Sequence, residues 1–339
     1  WTSVATGDLD GDGQVDFIAG NRGWNWFPVP RAPDGIQGSE PGGIRKVAFG
    51  DFDGNGTLDI LETYRVGDRE MPVRRADILF TVFPQLRDAF PTRAAFGAAD
   101  APQILAALHP PREPATLEAR WFATTAFLNR GDHFEVVPLP REAQMAPAFG
   151  ISLADFDGDG VLDAVLAQNF FPVRPDEARQ DAGCGLLLRG DGTGSFRGTT
   201  PMESGLTVWG DARSSAVADY DLDGRPDLVM TQNLGPVRLV HNSSGKPGVR
   251  VRLEGPSSNP AALGARLRLL TADRPGPVQE VQAGTGWLSV DSPARVLSCR
   301  GQPTSVEVRW PGGSVTRSPL PPDLHSVRIT PNGSLTPWP

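Results

Sequence analysis

Four stretches of this chain place carboxylates at alternate positions of a glycine-bearing loop: DLDGDGQVD (8–16), DFDGNGTLD (51–59), DFDGDGVLD (155–163) and DYDLDGRPD (219–227). Together they hold 15 aspartates. Aligned on the first aspartate, positions 1, 3 and 9 are Asp in every copy: Asp8, Asp10 and Asp16; Asp51, Asp53 and Asp59; Asp155, Asp157 and Asp163; Asp219, Asp221 and Asp227. Position 5 is Asp12, Asn55, Asp159 or Asp223. Alternate carboxylates in a tight loop converge on one side, and a hard cation is what relieves their repulsion. Ca2+ takes roughly six to eight oxygens in a flexible shell, which the backbone carbonyl of position 7 (Gln14, Thr57, Val161 or Arg225) would help complete; Mg2+ keeps its waters and fits less well. The expectation is up to four structural calcium ions.

The elements that must hold these loops are readable beside them. Position 6 is Gly13, Gly56, Gly160 or Gly224, as a positive-φ turn requires. Position 2 is large and apolar (Leu9, Phe52, Phe156, Tyr220), and an apolar run follows position 9, so each loop is expected to join two buried strands. An EF-hand would need a bidentate acid at position 12, where the residues are Ala19, Glu62, Leu166 and Met230; three of the four fail.

Composition agrees with many short strands and tight turns: 39 Gly and 33 Pro among 339 residues indicate an all-β chain of about two domains. The net charge of −8 is unevenly spread, since residues 244–339 carry 11 Lys and Arg against 6 Asp and Glu. Acidity therefore belongs to the repeats. No stretch reaches the roughly 18 uncharged apolar residues of a membrane helix, and an acidic chain of pI about 5.1 without a basic aromatic groove is not read as a nucleic-acid binder. The chain opens on Trp1 directly at a strand, which leaves room for an upstream signal, anchor or further repeats. Cys184 and Cys299 match no metal or redox spacing and are read as buried thiols, with a disulfide as the alternative.

The unit strand, D-x-D-G-D-G-x-x-D, strand resembles the FG-GAP or VCBS repeat, the calcium-loop blade unit also found in integrin α-chain propellers. That resemblance implies a β-propeller over residues 1–245. The gap between the second and third loops leaves room for one blade without a loop, with its outer hairpin at 121–140, giving five blades in all. Within it, residues 65–120 read as an insertion with two short helices, one over Ile78, Leu79, Val82, Phe83, Leu86 and Phe90 and one capped by Asp100 and Gln103 and leading into Leu105 and Leu108, laid across the propeller or against a partner. From 246 to 333 strands alternate cleanly, as in VRVRLEG (249–255), and read as a small antiparallel β-sandwich with a tail at 334–339. The order GARLRLL (264–270), VQEVQAGTGWLSVDSPARVL (278–297) and VEVRWPGG (306–313) resembles the ASPIC/UnbV domain that follows such repeats in bacterial relatives of cartilage acidic protein; LSCRGQ (297–302) departs from the family's usual turn.

No catalytic constellation accompanies the loops. His109, His133, His241 and His325 are scattered, no nucleophile elbow is present, and a carboxylate clamped on calcium is a poor general acid. The expected function is a non-catalytic, calcium-stabilised binding or scaffold protein of the periplasm or cell surface, a subunit of a larger envelope complex. A carbohydrate- or matrix-binding adhesin using Trp24 and Trp26 is the alternative, and a propeller-based polysaccharide lyase or hydrolase the second. Location follows from calcium chemistry: extracellular modules bind with Kd of about 10⁻⁴ to 10⁻³ M, which a cytosol would leave empty.

Overall fold

The computed structural model describes residues 1–23, 45–175, 177 and 179–339. Contacts divide the chain into two units, one of residues 1–23, 123–173 and 179–339, the other of 24–122 and 174–178.

The first unit contains three blades and the C-terminal domain. Every blade begins with a loop-linked antiparallel pair: Ser3–Gly7 with Asp16–Gly20, Ala148–Ala154 with Asp163–Gln168, and Ala212–Ala218 with Asp227–Gln232. The second blade adds Leu186–Gly190 and Phe196–Gly198, the third only Arg238–Val240. In the first blade, the outer hairpin is Thr125–Asn129 and Phe134–Pro138. This corrects the reading of 121–140 as the outer half of a separate loopless blade: Phe17 lies opposite Phe127 in the ladder, with their rings stacked at 4.6 Å. Among the described residues there are four loop-bearing sheets and no fifth blade, because the chain leaves the first blade after Gly20, forms the other unit, and returns to finish the same sheet. Leu, Ile and Ala of the first two blades, such as Ile18, Leu128, Ile151 and Leu166, form one buried cluster.

The second unit is built on its own loop-bearing sheet, ordered Arg69–Pro72, Asp59–Val66, Arg45–Gly50, Ala115–Ala119. Four short helices follow its hairpin rather than two: Ala76–Val82, Leu86–Ala89, Arg93–Ala98 and Ala101–Leu108. The last opens on the expected reciprocal cap, Gln103 N–H to Asp100 Oδ1 at 3.0 Å and Asp100 N–H to Gln103 Oε1 at 2.9 Å. Leu79, Phe83, Leu86, Phe96 and Ile104 pack with Phe52 and Leu61 of the sheet. The helices thus cover their own sheet, where the sequence reading laid them across the propeller or a partner.

Two four-stranded sheets form the C-terminal domain. One is ordered Ala294–Leu297, Val249–Leu253, Ser326–Ile329, Leu335–Pro337; the other Gln279–Glu280, Arg266–Leu270, Ser305–Arg309, Val315–Pro319. Val251, Leu253, Leu267, Leu269, Val306 and Val308 meet between them, the alternation of apolar and charged residues setting which face is inside. Two details differ from the sequence reading. Val249–Leu253 runs parallel to Ser326–Ile329, so this sheet is mixed. The supposed tail supplies an edge strand, where Pro337 needs no ladder hydrogen bond. Cys184 and Cys299 are free thiols.

Residues 278–292 of this domain meet the edge strands Ser3–Gly7 and Ala212–Ala218 of the first and third blades. Gly286 N–H donates to Val4 O at 3.1 Å, Ser292 N–H to Val217 O at 2.8 Å, and Val217 N–H to Asp291 Oδ1 at 2.9 Å. Backbone groups on those strand edges are satisfied by the C-terminal domain.

Candidate metal centres

All four loops share one hydrogen-bond plan. The position-9 aspartate opens the second strand, and its Oδ2 accepts the position-2 N–H at 2.7 Å (Asp16), 2.8 Å (Asp59), 3.1 Å (Asp163) and 3.1 Å (Asp227). Position 1 accepts the N–H of the position-6 glycine at 3.1, 2.9, 2.6 and 3.0 Å in chain order. Position 5 accepts the position-7 N–H at 2.7, 2.8, 2.9 and 2.9 Å. Asp16, Asp51, Asp155, Asp163, Asp219 and Asp227 accept hydrogen bonds through both oxygens, and a carboxylate oxygen that accepts one bond keeps a second lone pair for a ligand. The position-6 glycines sit at φ between 82° and 88°, the left-handed turn that brings the carboxylates round.

In every loop, positions 1, 3 and 9 can each offer an oxygen within 4.8 Å of the others. Asp8, Asp10 and Asp16 are so grouped, as are Asp51, Asp53 and Asp59, Asp155, Asp157 and Asp163, and Asp219, Asp221 and Asp227. Position 5 joins such a group in the fourth loop alone, where Asp223 and Asp221 meet His241. His241 Nε2 lies 3.0 Å from Asp221 Oδ2, a neighbour the sequence spacing does not show. The fourth loop also departs at position 2. Leu9, Phe52 and Phe156 are buried, whereas Tyr220 is 48% exposed and its ring meets His241 edge-on.

Burial disfavours the charged form of five of these carboxylates. It pushes Asp16 up to about 6 and Asp163 up to about 7, the latter against the pull of Arg189, and raises Asp8, Asp155 and Asp227 above the usual carboxylate range. Asp8 shows this most plainly. Its Oδ2 accepts both Gly13 N–H (3.1 Å) and Val278 N–H (3.0 Å), while its Oδ1 is buried with no hydrogen-bond partner. A buried carboxylate oxygen without a donor fits a hard cation, and an all-oxygen donor set fits calcium.

Arginines answer part of the charge. Arg130 pairs with Asp10, Arg189 with Asp163, Arg225 with Asp223, and Arg250 with Asp219 at 3.0 Å. Asp51, Asp53 and Asp59 have no such partner among the described residues. Three position-1 aspartates are also reached from the C-terminal domain: Asp8 by Val278 N–H, Asp155 by the Ser298 hydroxyl and Asp219 by the Arg250 guanidinium. Arg274 adds a bond to Asp10 O at 3.3 Å and Arg300 one to Asp159 O at 3.2 Å. These contacts join residues up to 270 positions apart, so no local pattern announces them. Trp24 and Trp26, read as a sugar platform, lie outside the described residues.

Residues 1–38 match the FG-GAP repeat and residues 255–335 match the family described as ASPIC and UnbV. No curated protein matches the chain. The FG-GAP match spans the first loop; the other three are tied to it by the shared hydrogen-bond plan.

Proposed function

We propose that this chain, with FG-GAP blades and a C-terminal ASPIC/UnbV domain, is a calcium-stabilised, non-catalytic scaffold or binding module of an extracytoplasmic assembly, periplasmic or at the cell surface. One observation carries the reading: in all three blades the first aspartate of the acidic loop is held by the C-terminal domain, through Val278, Ser298 and Arg250. The loops therefore serve an internal joint. A bound ion, ligated by positions 1, 3, 5 and 9 and the position-7 carbonyl, neutralises the cluster and stiffens the same carboxylates that the domain grips. Calcium supplies charge and coordination here; the chain's own residues fix the geometry. The carboxylates are committed to backbone donors, arginines and the ion, which makes them poor proton carriers and supports a binding role over a catalytic one.

The external location follows from affinity. Loops of this kind need about 10⁻⁴ to 10⁻³ M calcium, a concentration found outside the cytosol. The test is thermal unfolding of the intact chain with calcium and with chelator. The reading requires a clearly lower melting temperature in chelator; an unchanged melt removes its basis.

A further inference from the structure

The outer face of the second C-terminal sheet carries a charge arrangement that the sheet itself does not balance. Arg266 and Arg309 are directly opposite each other across the ladder, a position at which like charges destabilise a sheet. Glu280 answers Arg266, with its Oε2 3.2 Å from Arg266 Nε. Arg309 is exposed, and no carboxylate or hydrogen-bond acceptor reaches it among the described residues. On the next rung Arg268 and Arg317 share one carboxylate, Glu307, at 2.7 and 2.8 Å. Four guanidinium groups thus face two carboxylates, and the surplus is concentrated between Arg266 and Arg309. They border an open groove of about 390 Å3. Val315, opposite Arg309 in the ladder and 49% exposed, forms an apolar shelf beside it.

We propose that this groove binds an acidic polysaccharide, with one carboxylate or sulfate held between Arg266 and Arg309. A planar guanidinium donates two parallel hydrogen bonds to an oxyanion, and a pair can clamp one group from both sides. The second rung, two residues along the strand, lies about 7 Å away and meets the next anionic group of a linear chain. Val315 offers a sugar ring a surface that a bare inorganic anion would not use. Among the described residues no aromatic side chain lines the groove, so the base stacking that single-stranded nucleic acid relies on has no platform in them. These arginines pair with Glu280 and Glu307 and with no loop carboxylate, although Gly13 of the first loop also borders the groove.

The experiment is calorimetric titration of the full chain, in calcium, with hyaluronate (carboxylate only), dextran sulfate (sulfate only), neutral dextran and poly-L-glutamate. Binding to hyaluronate or dextran sulfate that weakens with added salt supports the proposal, and which of the two binds tells carboxylate from sulfate. Arg309→Glu should weaken that binding by about tenfold or more and Arg309→Gln by less, while Arg112→Glu, on the other unit, should change it by less than about twofold. Circular dichroism confirms that each variant is folded, and Arg309→Gln, which keeps a polar side chain of similar length, decides the matter if the reversal does not fold. The proposal is overturned if neither acidic polysaccharide binds, if dextran binds equally, if folded Arg309 variants bind as the parent does, or if poly-L-glutamate binds more tightly than both polysaccharides.

Discussion

Asp8→Asn separates a carboxylate that holds a cation from one that merely braces a turn. In the structure one oxygen of Asp8, Oδ2, accepts both the Gly13 and Val278 N–H groups, and the other, Oδ1, is buried without a partner. An asparagine can keep both hydrogen bonds through its single carbonyl oxygen and place its NH2 where Oδ1 was. In chelator the substitution removes a desolvated charge that Asp10 and Asp12 repel, and leaves one buried amide short of an acceptor. These effects oppose each other, so stability should stay within about 1 kcal/mol of the parent. With calcium at about 10 mM, a site of Kd 10⁻³ to 10⁻⁴ M contributes roughly 1.4 to 2.7 kcal/mol, and the variant forfeits that contribution. Urea unfolding followed by tryptophan fluorescence, with and without calcium, measures both quantities. A loss equally large in chelator and in calcium would refute the reasoning, since it would make Asp8 a hydrogen-bond acceptor and nothing more.

Three further outcomes follow from the same geometry. Position 4 of the loops is glycine at φ 71°, 75° and 72°, but Leu222 at φ 67°, and that side chain is 58% exposed; relieving the left-handed strain outweighs the entropy glycine adds to the unfolded chain, so Leu222→Gly should raise stability by about 0.5 to 1 kcal/mol in urea unfolding. Asp157→Ala, which deletes a charged candidate ligand, should reduce the calcium-induced rise in melting temperature more than Asn55→Ala does; equal reductions would argue against the ligand assignment. In chelator, Asp16 and Asp163 have folded-state values of about 6 and about 7, above their unfolded range, so the stability they contribute is full in acid and lost as pH rises through 6 to 7. The metal-free protein should therefore unfold more readily at pH 8 than at pH 5, and calcium, which binds the ionised form, should shrink or reverse that difference.

What could be read from the sequence was whatever a short stretch encodes by itself. The glycine and aspartate positions fix the loop, its two strands and the converging carboxylates, because all the groups involved lie within nine residues. The Asp100–Gln103 cap was readable for the same reason. Strand partners across an insertion were not: nothing in the hairpin of Thr125–Asn129 and Phe134–Pro138 says that its neighbour is Asp16–Gly20 rather than a strand of its own blade. Tyr220 also misleads, since its type matches buried Leu9 and Phe52 while its position in the third blade leaves it half in solvent. The arginines on the loops and the grip of the C-terminal domain are contacts over long sequence distance, as between Asp219 and Arg250 or Asp155 and Ser298. Charge counts show that cations exist but not which carboxylates they reach.

The central claim is that the four acidic loops are cages for a hard cation. Equilibrium dialysis of the intact chain against radioactive calcium, from about 10 µM to about 10 mM, counts the ions directly. The account predicts saturation toward four per chain, with Asp8→Asn losing one; less than one ion bound at the highest concentration would contradict it.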